Sequence, residues 1–323
     1  NGTDGWVLTF ATNVLKQLKV LTGTFTVSIA DPAVFTAAAH GLEAGDAVLL
    51  SSTEETVASD GVLTPLATPT VAASPNPAQI VSSDDGLYVY ALNQAIIPSG
   101  TMLHAPGLIA TILQYLKNVD GTLSPLSPAK VEIITSAIWQ SWVARGILGG
   151  TGYIASVQYH DLVMSPDGAY VYALFSVAVT NVSGGDAGTE SYIERFSRDI
   201  TTGVLTYSGL TAVYNTTTKY NAMVISADGA SAYVANTAAN TVSQYSRSTV
   251  TGELTPLSPA TVAATSPTRL CIAPDGTGVY VLGNTSYVYQ FIRNTSTKLL
   301  SASTPATVLT DASLTVTDIT CSP

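Results

Sequence analysis

Short runs of alternating apolar and polar residues recur along the chain, and most of them come in pairs. Asp161–Ala173 and Thr268–Val281 each begin with an alternating segment, pass through Asp-Gly and continue into a Tyr/Val-rich segment. Strict alternation is typical of half-buried strands, and Asp-Gly is a strong signal for a tight hairpin turn. The pattern therefore predicts a repeated β-hairpin. Further copies lie at residues 78–93, from residue 221, in divergent form at 33–50, and split between the two termini.

A second strand pair follows each of these hairpins. Thr241–Tyr245, for example, is followed by Thr-Gly and then by Leu254-Thr-Pro-Leu257. Proline in the outer strand fits a sheet edge, where a missing N–H costs no ladder hydrogen bond. Both strand pairs occur six times. The sequence predicts an all-β fold, a single β-propeller of four-stranded antiparallel blades, with six blades.

The two ends of the chain carry complementary parts of one repeat unit. Leu314–Pro323 matches the first strand of the repeat, and Asp4–Phe10 matches the strand after the turn. A repeat that is split in this way predicts a ring closed by the C-terminal strand pairing into the N-terminal blade. We expect one domain over residues 1–323, with the first blade shared by 4–30 and 314–323.

Composition narrows the function. The net charge is −10, with only 12 Lys and Arg, and 11% of residues are charged, so a nucleic-acid partner is not expected. The sequence has no apolar run long enough to span a bilayer. The three histidines have no metal-ligand spacing, and neither a metal nor a cofactor is expected. Low charge and many Thr and Ser residues favour an extracellular or virion-surface location.

Cys271 and Cys321 lie at the same strand of neighbouring repeat units, one residue out of phase with each other. Unpaired cysteine often packs as a small apolar residue, so two buried free thiols are expected. A disulfide is the alternative, against which the phase offset argues.

Ser165–Ala173, Ala232–Asn236 and Asn240–Tyr245 resemble the YVTN and lactonase-like β-propeller family, and the similarity extends over nearly the whole chain. Members of that family commonly have seven blades. The resemblance therefore implies seven blades as the alternative to six, with residues 129–157 as the segment that could hold the seventh. It also implies lactone hydrolysis, although no residues here match the family's catalytic Glu, Arg and His one by one.

A shorter segment points elsewhere. Ala30–Leu50, with Ala-His-Gly-Leu followed by Gly-Asp, resembles a segment of bacteriophage tail and fibre proteins. The turn residues of this segment also suit an ordinary hairpin. The resemblance implies a virion-surface protein.

Three insertions are predicted on the face opposite the Asp-Gly turns, at residues 94–107, 127–159 and 176–190. Long loops on a rigid scaffold are where binding commonly occurs. The middle insertion contributes residue types that are enriched in recognition sites, and His160 follows it directly. The alternative is that the two tryptophans plug a blade joint or the channel mouth. The candidate binding residues are Trp139, Trp142, Arg145, Tyr153, Tyr159 and His160.

These features lead to two hypotheses. The main one is a non-enzymatic binding or assembly module that contacts a protein, a surface glycan, or other virion or surface-layer subunits through the loops of blades three and four. The alternative is a lactonase-like hydrolase with a site at the channel mouth near His160, which could otherwise be a core or surface histidine.

Overall fold

The computed structural model of the protein describes residues 77–93, 110–133, 152–181, 188–213, 220–283, 287–309, 316 and 318–321, together with four short strands nearer the N-terminus. The chain divides into two compact units, Asn1–Pro65 and Leu66–Pro323. In the first unit, β1 (Asp4–Thr9) pairs antiparallel with β2 (Val14–Lys19), and β3 (Thr26–Val27) pairs with β4 (Phe35–Thr36). The rest of this unit lies outside the described residues.

The described residues of the second unit form four antiparallel sheets of four strands each, and within every sheet the strands follow chain order. Sheet I consists of β5 (Pro77–Ser82), β6 (Tyr88–Asn93), β7 (Thr111–Lys117) and β8 (Leu123–Glu132). Sheet II consists of β9 (Gly152–Met164), β10 (Tyr170–Asn181), β11 (Gly188–Arg198) and β12 (Leu205–Val213). Sheet III consists of β13 (Tyr220–Ile225), β14 (Ser231–Asn236), β15 (Thr241–Arg247) and β16 (Leu254–Ala263). Sheet IV consists of β17 (Pro267–Ile272), β18 (Gly278–Gly283), β19 (Tyr287–Arg293) and β20 (Leu300–Leu309).

These sheets confirm the prediction of an all-β propeller fold with four-stranded antiparallel blades. The described residues include no helix, and so none that could cross a membrane. The number of blades, six or seven, stays a prediction. So does the single ring over residues 1–323: residues 318–321, which fall in the predicted closing strand, have no strand assignment.

Burial follows the position of each strand within its sheet. All six residues of β14 are buried, because this strand is packed on both faces by the neighbouring sheets. The outer strand β16 is mostly exposed and carries Pro256 and Pro259. Proline blunts an exposed edge against pairing with another chain. Apolar clusters fill the spaces between consecutive sheets, which is how stacked blades stabilise one another.

The Asp-Gly hairpin turns have one common geometry. In sheet II, the Ser165 hydroxyl donates to Asp167 (2.5 Å) and accepts from the Tyr170 backbone N–H (3.0 Å). Gly168 follows with a φ of +63°, a conformation that favours glycine. The same serine and aspartate contact recurs in sheets I and III. The turn thus holds its aspartate at a fixed place beside the next sheet.

An arginine from each following sheet binds this aspartate. Arg247 of sheet III donates to Asp167 (2.8 Å), to the Tyr172 hydroxyl (2.7 Å) and to its own turn at the Gly229 carbonyl (2.9 Å). Tyr172 in turn donates to the Gly252 carbonyl at 2.6 Å. We call this Arg–Asp–Tyr group the interlock. It recurs between sheets I and II, and between sheets III and IV, as Arg198–Asp85–Tyr90 and Arg293–Asp228–Tyr233.

Two of the predicted long loops are partly strand. β8 continues to Glu132 and β9 begins at Gly152, so the segment 127–159 is shorter as a connection than predicted. Likewise, β10 runs to Asn181 and β11 starts at Gly188, within the predicted loop 176–190. The alternation simply continues past the expected strand ends, and the ladder extends to the pair Asn181 and Gly152. The predicted loop 94–107 lies outside the described residues.

The two cysteines form a disulfide, with their Cα atoms 5.7 Å apart. The expectation of two free thiols was therefore wrong. The phase argument assumed that Cys321 sits in a regular strand beside Cys271. Residues 318–321 are not paired in a ladder, so the strand phase does not fix where the Cys321 side chain points.

Candidate functional site

The first strand of each sheet carries a β-bulge at the same place. The ladder registers shift between Pro77 and Gln79, around His160, between Tyr220 and Ala222, and between Pro267 and Arg269. A bulge leaves one residue out of the ladder and re-aims the side chains beside it. The residues directly after the bulges occupy equivalent positions in the four sheets and are Gln79, Asp161, Ala222 and Arg269.

Polar side chains at these positions meet across the sheets. Gln79 of sheet I donates through Nε2 to Asp161 Oδ1 at 2.9 Å, and Asp161 Oδ2 accepts the Met223 backbone N–H of sheet III at 3.0 Å. On sheet IV, Arg269 Nε lies 3.9 Å from Asp318 Oδ1. We call Gln79, Asp161, Arg269 and Asp318 the inner-strand cluster.

Asp161 is the more buried of the two carboxyls in the cluster. Burial raises its pKa, while hydrogen bonds from Met223 and Leu162 and the positive charge of Arg269 act in the opposite direction. Arg269 thus affects the pKa of Asp161 although the two residues belong to different sheets. A carboxylate with a raised pKa can take a proton from water, and a guanidinium can stabilise developing negative charge.

His160, by contrast, occupies the bulge itself. Its Nε2 atom lies 2.7 Å from the Ser176 hydroxyl on the second strand. The equivalent bulge residue of sheet III, Asn221, donates to Thr237 at 2.6 Å in the same way. In sheet IV, Thr268 donates to the Leu282 carbonyl at 3.2 Å. Sheets II, III and IV therefore use this position for a polar contact within the blade, whereas sheet I has Ala78 there. His160 makes this contact in sheet II.

The remaining predicted binding residues are dispersed or lie beyond the described part of the chain. Tyr159 packs into the core between sheets I and II, with its ring 5.7 Å from that of Phe175, and burial holds its pKa well above the ordinary value. Tyr153 pairs with Thr180 in the extended part of β9. The others, Trp139, Trp142 and Arg145, fall outside the described residues. A shared binding role for these side chains stays a prediction.

The sequence contained a signal for the cluster that was missed. In every repeat the position in question stands four residues before the Ser or Ala that lies two residues ahead of the turn aspartate. It is occupied by Gln79, Asp161, Ala222, Arg269 and, four residues before Ser322, Asp318. When one position of a repeat varies between polar residue types while the neighbouring positions stay constant, its side chains are candidates for function. Three of the four were overlooked because each lies in a different repeat unit.

An open cavity of about 380 Å³ lies near the end of β17, beside the disulfide. Its lining is formed by Cys271, Ala273, Pro274, Tyr280, Ile319, Thr320 and Cys321. Among the described residues, this lining contains neither a carboxylate nor a cation. The inner-strand cluster is the better candidate for a reactive site.

Residues 188–314 match the family described as lactonase, seven-bladed β-propeller. The matched segment is less than half of the chain, and it contains Arg269 but not Asp161 or Gln79. A comparison with curated proteins found no significant match.

Several solved structures show a distant likeness. A protein from Lactobacillus plantarum is 16% identical, covering 92% of this chain and 89% of its own, with a TM-score of 0.42. A putative 6-phosphogluconolactonase from Bacteroides fragilis is 17% identical over 75% of this chain and 86% of its own, with a TM-score of 0.37. The periplasmic gluconolactonase of Pseudomonas aeruginosa is 17% identical over 69% of this chain and 68% of its own, with a TM-score of 0.35. At these TM-scores the likeness carries no argument about activity.

The family match corrects the main functional prediction. A non-enzymatic binding or assembly module on a virion surface was the wrong choice, because the family matched by residues 188–314 is one of lactonases. None of the comparisons supports the resemblance of residues 30–50 to bacteriophage proteins. The match favours the lactonase-like alternative instead. An extracellular location and the predicted protein or glycan partners stay predictions.

Proposed function

We propose that the chain is a lactonase-like hydrolase and that the inner-strand cluster is its active site. The match of residues 188–314 to the lactonase family supports the reaction class. The equivalent positions of Asp161 and Arg269 after the bulges of sheets II and IV support the site, since a carboxylate can act as a general base and a guanidinium can stabilise an oxyanion.

In the proposed reaction, Asp161 takes a proton from a water molecule while the oxygen of that water attacks the lactone carbonyl carbon. A carbon–oxygen bond forms, and the carbonyl oxygen becomes an oxyanion, which Arg269 stabilises. The intermediate then collapses, the ring carbon–oxygen bond breaks, and the leaving alkoxide receives the proton held by Asp161. The product is an open-chain hydroxycarboxylic acid, which ionises at neutral pH.

Asp161 suits the role of base better than His160 does. The Nε2 atom of His160 is already bonded to Ser176, at a position that sheets III and IV fill with Asn221 and Thr268. The Asp161 carboxylate keeps one lone pair on Oδ2 after accepting Met223, because its other two contacts fall on Oδ1. That lone pair could accept a proton from water.

The ionisation of Asp161 sets the expected pH dependence. Only the ionised carboxylate can act as a base, so turnover is lost as the pH falls through its pKa. Because burial raises that pKa, the acidic limb of the profile should lie above the ordinary range of an aspartate.

The test is to measure hydrolysis of a panel of γ- and δ-lactones by acid release, with the spontaneous rate subtracted. Replacing Asp161 with Asn should lower kcat by about 10²–10⁴-fold, the usual contribution of a general base. Asp199→Asn, a change in an exposed turn, is the matched control and should leave turnover intact. Absence of turnover by the unmodified protein on every lactone, or an Asp161→Asn variant with full activity, would overturn the proposal.

A further inference from the structure

The charges that surround the proposed site point to its substrate class. Among the five equivalent first-strand positions, Asp161 and Asp318 are acidic, Arg269 is basic, and Gln79 and Ala222 are uncharged. The bulge residues that precede four of them are Ala78, His160, Asn221 and Thr268. None of these four carries a fixed charge when His is neutral. Within the described part of the chain, this layer therefore has a net charge of −1.

The single cation of this layer shares it with two carboxylates. Asp318 Oδ1 lies 3.9 Å from Arg269 Nε, and Asp161 occupies the position in sheet II that Arg269 occupies in sheet IV. The Arg269 side chain is 46% exposed, so it can approach a substrate. A phosphate dianion is commonly bound by several cations or by a bidentate arginine without competing carboxylates. Here it would meet one guanidinium and two like charges.

We infer that the site hydrolyses uncharged lactones and discriminates against lactones that bear a phosphate. This inference rests on the proposed function. The same charge distribution assists turnover, because an uncharged lactone becomes an anionic hydroxycarboxylate. The two aspartates attract no anion, and the product leaves an environment that repels it.

The experiment compares two substrates that differ only in the phosphate, glucono-δ-lactone and its 6-phosphate. Fields of one sign in a cleft change the effective concentration of charged ligands by about 10–10³-fold. We expect kcat/KM for the neutral lactone to exceed that for the phosphate ester by at least about tenfold. Raising the ionic strength should increase kcat/KM for the phosphate ester and leave the neutral substrate unaffected, because salt screens repulsion.

A charge-removing variant makes the test specific to the site. Asp318→Asn should raise kcat/KM for the phosphate ester and so reduce the preference for the neutral lactone. Asp275→Asn is the matched control, because it removes the same charge from the exposed turn of sheet IV. Asp275 lies in the turn that follows β17, six residues from Arg269 along the chain, and its replacement should leave the preference for the neutral lactone unchanged.

The outcomes separate the two claims. Preference for the phosphate ester, or an Asp318→Asn variant whose preference equals that of the unmodified protein, would overturn the inference and leave the hydrolase proposal standing. Turnover of neither substrate, together with none on the lactone panel, would overturn the hydrolase proposal and this inference with it.

Discussion

Replacing Arg247 with methionine should remove the interlock between sheets II and III while keeping most of the packing of the arginine stem. The Arg247 side chain is fully buried, and it bonds to Asp167, Tyr172 and Gly229 at 2.7–2.9 Å. The change leaves those three acceptors without their donor. We expect a loss of about 2–4 kcal/mol in the free energy of unfolding.

The size of this loss in unfolding free energy depends on which partners remain for each acceptor once Arg247 is replaced. Asp167 is 33% exposed, so water replaces much of its bond, and the ion pair must be discounted accordingly. The Tyr172 hydroxyl keeps its bond to Gly252 as a donor. The Gly229 carbonyl loses a charged donor in a buried place. One bond to a charged group is worth about 1.5–3 kcal/mol, and the other two losses are partly offset.

Equilibrium unfolding in urea, followed by circular dichroism, measures this effect. Arg195→Met is the matched control, because the hydrogen bonds that Arg195 donates to described residues go to Ser208 of its own sheet. This change should cost about 1 kcal/mol. If Arg247→Met destabilised the protein no more than Arg195→Met does, the interlock would not be a source of stability between the sheets.

Three further changes test other features. His160→Asn should preserve fold and lactone turnover, because Asn already makes the equivalent contact in sheet III; a large loss of turnover with an unchanged unfolding midpoint would instead assign His160 to catalysis. Reducing the Cys271–Cys321 disulfide, which spans 50 residues, should lower stability by about 2–4 kcal/mol, and a urea midpoint that does not respond to reductant would contradict this. Burial raises the pKa of Asp228, but hydrogen bonds and Arg293 outweigh that effect and lower the pKa to about 2. Since this folded-state pKa lies below the unfolded value, the contribution is complete above about pH 4 and is lost as the pH falls towards 2; midpoints measured from pH 5 to 2 should fall less in Asp228→Asn than in the unmodified protein.

The blade pattern could be predicted from the sequence because its signals are local. Asp-Gly at residues 167–168 and alternation on either side define a hairpin without knowledge of any distant residue. The strand ends were less accessible. Val177 and Val179 continue the alternation of β10 beyond the expected boundary, and only pairing with a partner strand decides whether such a continuation becomes ladder or loop.

The proposed site could not be predicted from local sequence signals. Asp161 was noticed for its neighbour His160, whereas Gln79 and Arg269 come from sheets I and IV, and only tertiary packing brings these side chains towards Asp161. A bulge also shifts which side chain points inwards, and no simple alternation rule anticipates it. The disulfide likewise depends on where residues 318–321 lie, which strand periodicity cannot give.

The interlock has a direction along the chain. Sheets I to III each offer a tyrosine and a turn aspartate to the next sheet, and sheets II to IV each offer an arginine to the preceding one. Sheet II does both, with Tyr172 and Arg198. Every junction of this kind is interchangeable with the next. A duplicated copy of sheet III inserted after itself would present the same donor and the same acceptors, and no new junction would have to evolve. Growth or loss of whole blades is therefore a route of variation that this architecture leaves open, and the number of blades can differ between relatives whose junction residues are the same.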